Sequence, residues 1–274
     1  MIWFTVTVDE SYYHYLKVYL KSLQQTNPNA WVLCRLVNFD KEVEIKQYFT
    51  NIIFEKTTTL LSKRKNRPRG DISWQYATFK NIRNCSFLVS DFQCYCNNIR
   101  FDNINKLQET AQYIINTDVD IIFNKEIDLK VLFKDTDFLF LNENEPFSTE
   151  TGIALLPKKN QWYPSTWYNL NALSDMPFCE ESVFAIKTTP YTKLFIQEAE
   201  TLIKQDFLNW DADYQILNKL YKKYITNIKF KTLPVEYCDR WFFSKNSYIW
   251  NGAAEIKTLS QEYKDKFNSY HSSF

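Results

Sequence analysis

A chain of 274 residues with 33 Lys and Arg against 32 Asp and Glu, of which 45% are hydrophobic and 18% aromatic, is neither disordered nor a uniformly basic nucleic-acid surface. Only three glycines occur, Gly70, Gly152 and Gly252, so no P-loop or G-x-G-x-x-G turn can be built and the ATPase and dinucleotide classes fall away. No stretch approaches the roughly 18 apolar residues of a membrane span, and the start, Met-Ile-Trp-Phe-Thr-Val-Thr-Val, reads as a core strand and not a signal peptide.

The apolar, β-rich run over residues 2–8 predicts a first strand. Asp9-Glu10-Ser11 then supplies the carboxylates and hydroxyl that a helix N-terminus wants. Tyr15, Leu16, Tyr19, Leu20 and Leu23 recur at helical spacing until Asn27-Pro28. A strand over 30–37, a short helix over 41–49 and a strand over 52–55 complete a β-α-β-α-β order. That order predicts an α/β domain with a mostly parallel central sheet flanked by helices.

Residues 62–70 carry five positive charges: Lys63, Arg64, Lys65, Arg67 and Arg69. This loop is either a solvated surface or a contact for phosphates, of a donor or of a nucleic acid. Helices are expected over 72–83, over 86–98 and from near Arg100. Beyond them come strands over 138–141, 153–156, 182–186 and 227–232. Residues 162–173 hold aromatics that suit a core or a carbohydrate platform. Thr189-Pro190 opens one helix, and Trp210-Asp211-Ala212-Asp213 opens another with Tyr214, Leu217, Leu220 and Tyr221 inward. The domain is taken as 1–258, with a helix remnant and tail over 259–274.

Cys34, Cys85, Cys94, Cys96, Cys179 and Cys238 show no C-x-x-C and no zinc-like pairing with His14 and His271. They are expected as free thiols in a reducing, cytoplasmic compartment.

The most informative stretch is Gln-Tyr-Ile-Ile-Asn-Thr-Asp-Val-Asp-Ile-Ile-Phe, residues 112–123. Positions i and i+2 of a strand share a face, so Asp118 and Asp120 can aim two carboxylates at one point. Carboxylate oxygens suit hard divalent cations, Mn²⁺ or Mg²⁺. The plain alternative is a solvated turn after a buried strand.

The order of these features resembles GT-A-type, nucleotide-sugar-dependent glycosyltransferases, in particular the glycogenin-like, family-eight-like group. The resemblance implies a single Rossmann-like GT-A domain that moves a sugar from a nucleoside diphosphate sugar, such as a UDP-sugar, to a hydroxyl. It implies nucleotide contacts from Thr7, Val8, Asp9 and Tyr12 at the end of the first strand. Arg100 falls at the family's Arg upstream of the metal-binding Asp-x-Asp, here Asp118 and Asp120. Asp213, in a sequence similar to the family's Asp-Gln-x-x-Leu-Asn, would stand beside the sugar. Trp250-Asn251-Gly252 and Lys257 resemble the closing His-x-x-Gly-x-x-Lys element, in which His binds metal and Lys the diphosphate. This chain departs in having Tyr214 for Gln, no closing His, and a Lys257 farther from Gly252. Asn251 or water is then the third metal ligand.

Two other classes compete. A metal-dependent nuclease or phosphohydrolase would suit the Asp pair and the basic loop, but such sites need further carboxylates beside the pair, and Glu126 and Asp128 fall after the 121–123 run, on another turn. A non-catalytic nucleotide-sugar-binding protein would explain the missing His. The acceptor is expected to be a glycan or a hydroxylated base in DNA gripped by the basic loop. The Asn-, Lys- and Ile-rich composition suggests an AT-rich genome, of a bacterium or of a phage acting in the host cytoplasm.

Overall fold

The structure is a computed structural model and describes residues 2–65, 67–68, 88–141, 180–210, 212–239, 243–252 and 260–272. The expected helix over 72–83, the strand over 153–156, the aromatic segment 162–173, Arg69, Asp211, the Tyr214 side chain and Lys257 lie outside the described residues.

The chain opens with β1 (Ile2–Asp9), a 3₁₀ turn (Glu10–Tyr12), α1 (Tyr13–Thr26), β2 (Trp31–Val37), α2 (Glu42–Lys46) and β3 (Ile52–Thr57). β4 (Arg67–Pro68) and β5 (Leu88–Val89) form a small antiparallel ladder. The helix expected over 86–98 is therefore shorter: it is α3 (Asp91–Asn98), and Ser90 sets its start. The Ser90 hydroxyl accepts from the Gln93 amide at 3.1 Å while Gln93 Oε1 accepts from the Ser90 amide at 3.0 Å, a reciprocal capping box. Next come α4 (Arg100–Leu107), β6 (Tyr113–Thr117), β7 (Ile121–Phe123), α5 (Leu129–Leu132), β8 (Phe138–Leu141) and β9 (Glu180–Lys187). Thr189 caps α6 (Pro190–Gln205), with Pro in the first turn as expected. The remainder is α7 (Ala212–Tyr224), β10 (Phe230–Thr232), β11 (Ile249–Asn251) and α8 (Gln261–His271). The C-terminal segment, which the sequence marks only as a helix remnant and tail, thus includes a helix of 11 residues capped by Ser260.

Seven strands form one sheet in the order β10-β8-β9-β6-β1-β2-β3. β9 runs antiparallel to both neighbours and every other pairing is parallel, so the sheet is mostly parallel as the β-α-β order requires. Both faces are covered, and strand residues alternate between two cores. Phe4, Val6 and Val8 of β1 pack with Ile115, Leu139, Val183 and Ala185 on the α1 side. Trp3, Ile114, Phe138, Phe184 and Ile186 pack with Phe101, Phe195 and Leu217 on the side of α4, α6 and α7. Strand order reverses direction at β1, which lies between β2 and β6. In open α/β sheets a ligand crevice forms at such a point, outside the carboxyl ends of the strands. Asp9 ends β1 and Asp118 follows β6, so both sequence-marked carboxylate positions fall there.

Candidate active site

The Asp-x-Asp turn is built by burial of the residue between the carboxylates. Val119 is buried while Asp118 and Asp120 are partly exposed. The Asp118 amide donates to the Ser182 carbonyl of β9 at 2.8 Å, and Thr117 shares a 2.9 Å hydrogen bond with the buried Tyr19 hydroxyl. These contacts fix where β6 stops.

Arg100, the first residue of α4, is 8% exposed and sends its Nη1 to 3.8 Å from Asp118 Oδ1. Its Nε donates to the Asn97 carbonyl at 2.6 Å and its Nη2 to Asn97 Oδ1. The Asn97 Nδ2 in turn donates to Asp213 Oδ2 at 2.9 Å and to the Trp210 carbonyl at 3.2 Å. Asp213 is fully buried in the first turn of α7. A connected polar path therefore runs Asp213, Asn97, Arg100, Asp118. Neighbouring Asn98 adds hydrogen bonds to the Phe207 and Asn209 carbonyls, at 2.9 and 2.8 Å, which tie α3 to the entrance of α7.

At the end of β1, the Asp9 carboxylate accepts from the Ser11 amide at 2.6 Å and from its hydroxyl. Thr7 Oγ1 accepts from Asn103 Nδ2 at 3.3 Å. The Val8 side chain belongs to the core, so only its backbone is left for a ligand. Tyr12 is 38% exposed and lies 5.5 Å from Tyr15, ring to ring. Beneath this end sits Arg35, which no sequence motif marks. Its Nε donates to Asn103 Oδ1 at 2.6 Å, its Nη1 to Thr57 Oγ1 at 3.0 Å, and it pairs with Asp102. One guanidinium thus ties β2, β3 and α4 together below Thr7.

The described part of the basic loop reaches the same region. Lys63 lies 4.7 Å above the Phe92 ring, and the Ser62 carbonyl accepts from the Phe92 amide at 3.1 Å. Burial, followed by the negative charge of Asp9, pushes the Cys96 thiol up to about 12, while Lys63 acts in the opposite sense. Among the described residues, Cys34, Cys94, Cys96 and Cys238 are thiols and not disulfides, as expected.

β11 pairs antiparallel with β7, placing Asn251 opposite Ile121. Asn251 is fully buried, and its amide nitrogen donates to Ser182 Oγ at 3.0 Å and to Cys238 Sγ at 3.4 Å. Its Oδ1 has no hydrogen-bond partner, a deficit that costs free energy in a buried amide unless something else meets it. Ser182 links it to the Asp118 amide. The turn itself carries two carboxylates, and one unmatched amide oxygen belongs to Asn251 on the strand paired with the residues that follow it. All are hard oxygen donors and fit Mg²⁺ or Mn²⁺ in kind. Among the described residues no three His, Cys, Asp or Glu side chains gather as a metal cluster. Also among the described residues, no helix is long and apolar enough to cross a membrane.

No family model matches the chain and no curated protein matches it in sequence. Solved structures do match. The glycosyltransferase GlyE of Streptococcus pneumoniae TIGR4 is similar over 99% of this chain at 14% identity, with a TM-score of 0.55; this chain spans 61% of the GlyE chain. The galactosyltransferase LgtC, solved in complex with donor and acceptor sugar analogs, is similar over 99% of this chain and 96% of its own, at 13% identity and a TM-score of 0.54. An active-site mutant of LgtC is similar over 99% of this chain and 95% of its own, at 13% identity and a TM-score of 0.52. With a mostly parallel seven-stranded sheet flanked by helices, the chain has the fold of the GT-A-type glycosyltransferases.

Proposed function

We propose that the protein transfers a sugar from a nucleoside diphosphate sugar to a hydroxyl, with Mn²⁺ or Mg²⁺ held at Asp118 and Asp120 and completed by Asn251. The observation that carries this reading is the path from Asp213 through Asn97 and Arg100 to Asp118. It lies outside the carboxyl ends of β1 and β6, in a fold shared with a galactosyltransferase solved with donor and acceptor sugar analogs.

A divalent cation bound there supplies compact positive charge against the two phosphates as they leave. Arg100 adds a fixed guanidinium beside the same position, and a low-dielectric, preorganised charge is worth most where negative charge develops. Asn97 holds that guanidinium and the Asp213 carboxylate in one frame. Asp213 then orients the sugar or its acceptor hydroxyl. Asp9, Tyr12, Thr7 and the Val8 backbone form the nucleoside end of the crevice, and Lys257 is proposed as a further diphosphate contact.

The nuclease reading needs further carboxylates beside the pair, and Asp128 instead caps α5, its carboxylate accepting from the Lys130 amide at 2.9 Å. The acceptor is a glycan or a hydroxylated base in DNA. The test is calorimetric titration of nucleoside diphosphates with and without Mn²⁺, together with donor hydrolysis and mass-spectrometric transfer to glycan and DNA acceptors. Metal-dependent diphosphate binding with donor hydrolysis supports transfer. Binding without turnover supports a binding protein. DNA cleavage supports the nuclease.

A further inference from the structure

We infer that the C-terminal helix α8 sets the geometry of the Asp118–Asp120 turn through the Tyr263 hydroxyl, which makes Tyr263 a positioning residue for the proposed metal site. The inference rests on the reading of that turn as the metal-binding turn.

Two like charges two residues apart repel, so the backbone that carries them has to be held by something other than the carboxylates. The Asp120 carbonyl is held twice. The Gly252 amide donates to it at 2.8 Å and the Tyr263 hydroxyl at 2.9 Å. Three chain segments converge so closely that a Cβ on Gly252 would lie 2.5 Å from the Tyr263 hydroxyl oxygen and 2.7 Å from the Asp120 carbonyl oxygen. Glycine is required here for close approach, not for an unusual φ. Tyr263 is 2% exposed, so water does not compete for its hydrogen bond.

The surroundings fix the ring. Phe243 lies 5.3 Å from Tyr263 and 5.5 Å from Trp250, centroid to centroid. Its φ of 47° is in the left-handed region, uncommon for an aromatic residue, and the loop holds that conformation with this ring between its two partners. On the other side an aromatic row continues to the nucleoside end of the crevice. Tyr263 stacks on Phe267 at 6.3 Å, Phe267 meets Tyr15 edge-on at 5.2 Å, and Tyr15 lies 5.5 Å from Tyr12. One helix therefore holds the Asp120 carbonyl directly and reaches Tyr12 through Tyr15.

The test compares Tyr263→Phe with Phe267→Leu in the full chain. Hydrogen–deuterium exchange without metal reads the turn directly, and Mn²⁺ titration reads its consequence. Tyr263→Phe should raise exchange of peptides covering 118–123 and 249–252 by about tenfold and weaken Mn²⁺ binding by roughly tenfold, with β2 and β3 unchanged. Phe267→Leu, which loosens the packing and keeps the hydroxyl, should do markedly less at the turn. Unchanged exchange at 118–123 in Tyr263→Phe overturns the inference. Equal effects of the two variants also overturn it, because packing alone would then set the turn. A wild-type protein that binds no Mn²⁺ refutes the metal reading instead, and the exchange result still decides whether Tyr263 positions the turn.

Discussion

The Arg100 guanidinium stands 3.8 Å from the Asp118 carboxylate while its Nε is bound to the Asn97 carbonyl, so the cation cannot follow Asp118 freely. A guanidinium this buried, 8% exposed, is part of the turn's electrostatic setting and not a solvated neighbour. Arg100→Lys keeps the charge but loses the fork that reaches Asn97 and Asp118 together. Turnover should fall by about 10²-fold, in the range lost when a preorganised electrostatic group is removed, and Lys should rescue little of the Arg100→Ala defect. Steady-state kinetics on the three proteins decide this; near-wild-type turnover of Arg100→Lys would show that charge alone matters.

Asp118→Asn and Asp120→Asn each remove one anionic oxygen from the proposed hard-cation site. Each should abolish transfer and leave the melting temperature within a few degrees, because both side chains are partly exposed. Chelator should silence the wild-type protein, and Mn²⁺ or Mg²⁺ should restore it. Full activity in chelator would remove the metal from the mechanism. Asn251→Ala should weaken Mn²⁺ binding and also lower stability, since it deletes the donor to Ser182 and Cys238.

Gly252→Ala should destabilise the protein by about 2 kcal/mol, the usual cost of forcing a methyl into a filled site. In Gly252→Ala/Tyr263→Phe the 2.5 Å approach to the hydroxyl is removed, although the 2.7 Å approaches to the Asp120 carbonyl and to the ring carbon Cζ at position 263 persist. The double variant should therefore lose less than the sum of the two single losses, as coupled neighbours do. Urea denaturation of the four proteins measures this, and strict additivity would mean that the two groups do not meet.

Alkali should unfold the protein early. Burial, as the main cause, raises the phenols of Tyr19 and Tyr263 far above their ordinary value near 10. Below about pH 10 the folded and unfolded chains carry the same phenol protons, and stability is unaffected. Above it the unfolded chain releases protons that the folded chain retains, so stability falls as pH rises. The urea midpoint should hold up to about pH 10 and drop above it, and Tyr19→Phe should flatten that drop. An equally steep fall in Tyr19→Phe would assign the effect to other groups.

The parts of the site that were legible in the sequence are those with a local pattern. Asp118 and Asp120 stand out because two carboxylates spaced i, i+2 interrupt apolar runs on either side within twelve consecutive residues. Arg100 and Asp213 entered only through the order of motifs, since neither has a local signature. Asn97 and Asn98 were missed because amides at the end of a polar helix carry no periodic signal, and the Asp213 partner lies 116 residues away. Arg35 had a usable clue. A lone cation inside Trp-Val-Leu-Cys-Arg-Leu-Val sits in a strand buried on both faces and has to be paired. The C-terminal helix was undervalued because its composition is polar. Its buried face is carried by Tyr263, Phe267 and Tyr270, at i, i+4 and i+7, a narrow stripe beside many charges.

Asp213 gives the sharpest test of the proposed function, because a plain structural reading of it is available. It lies in the first turn of α7, where a carboxylate favours the helix N-terminus by about 0.3–1 kcal/mol. It is also fully buried and accepts from Asn97, so it could serve only to join α3 to α7. Asp213→Asn separates the roles. The amide oxygen can still accept from Asn97 Nδ2, and Asn is tolerated near a helix start, so a joining role predicts a modest loss of stability and little loss of turnover. A role beside the reacting sugar predicts the same modest stability change but a turnover loss of about 10²-fold or more. Donor affinity should change little in either case, because the proposed nucleoside contacts come from the end of β1 and not from α7. Asn97→Ala completes the comparison. It removes the side-chain link from Asp213 to Arg100 while leaving both charges and the Asn97 carbonyl that holds Arg100 Nε, and should lower turnover less than Asp213→Asn yet lower stability more, since it deletes a buried amide that serves both charged groups. Melting temperature, donor affinity and turnover on one preparation of each protein decide the matter. A fully active Asp213→Asn protein would take the residue out of the site and leave α7 as scaffold.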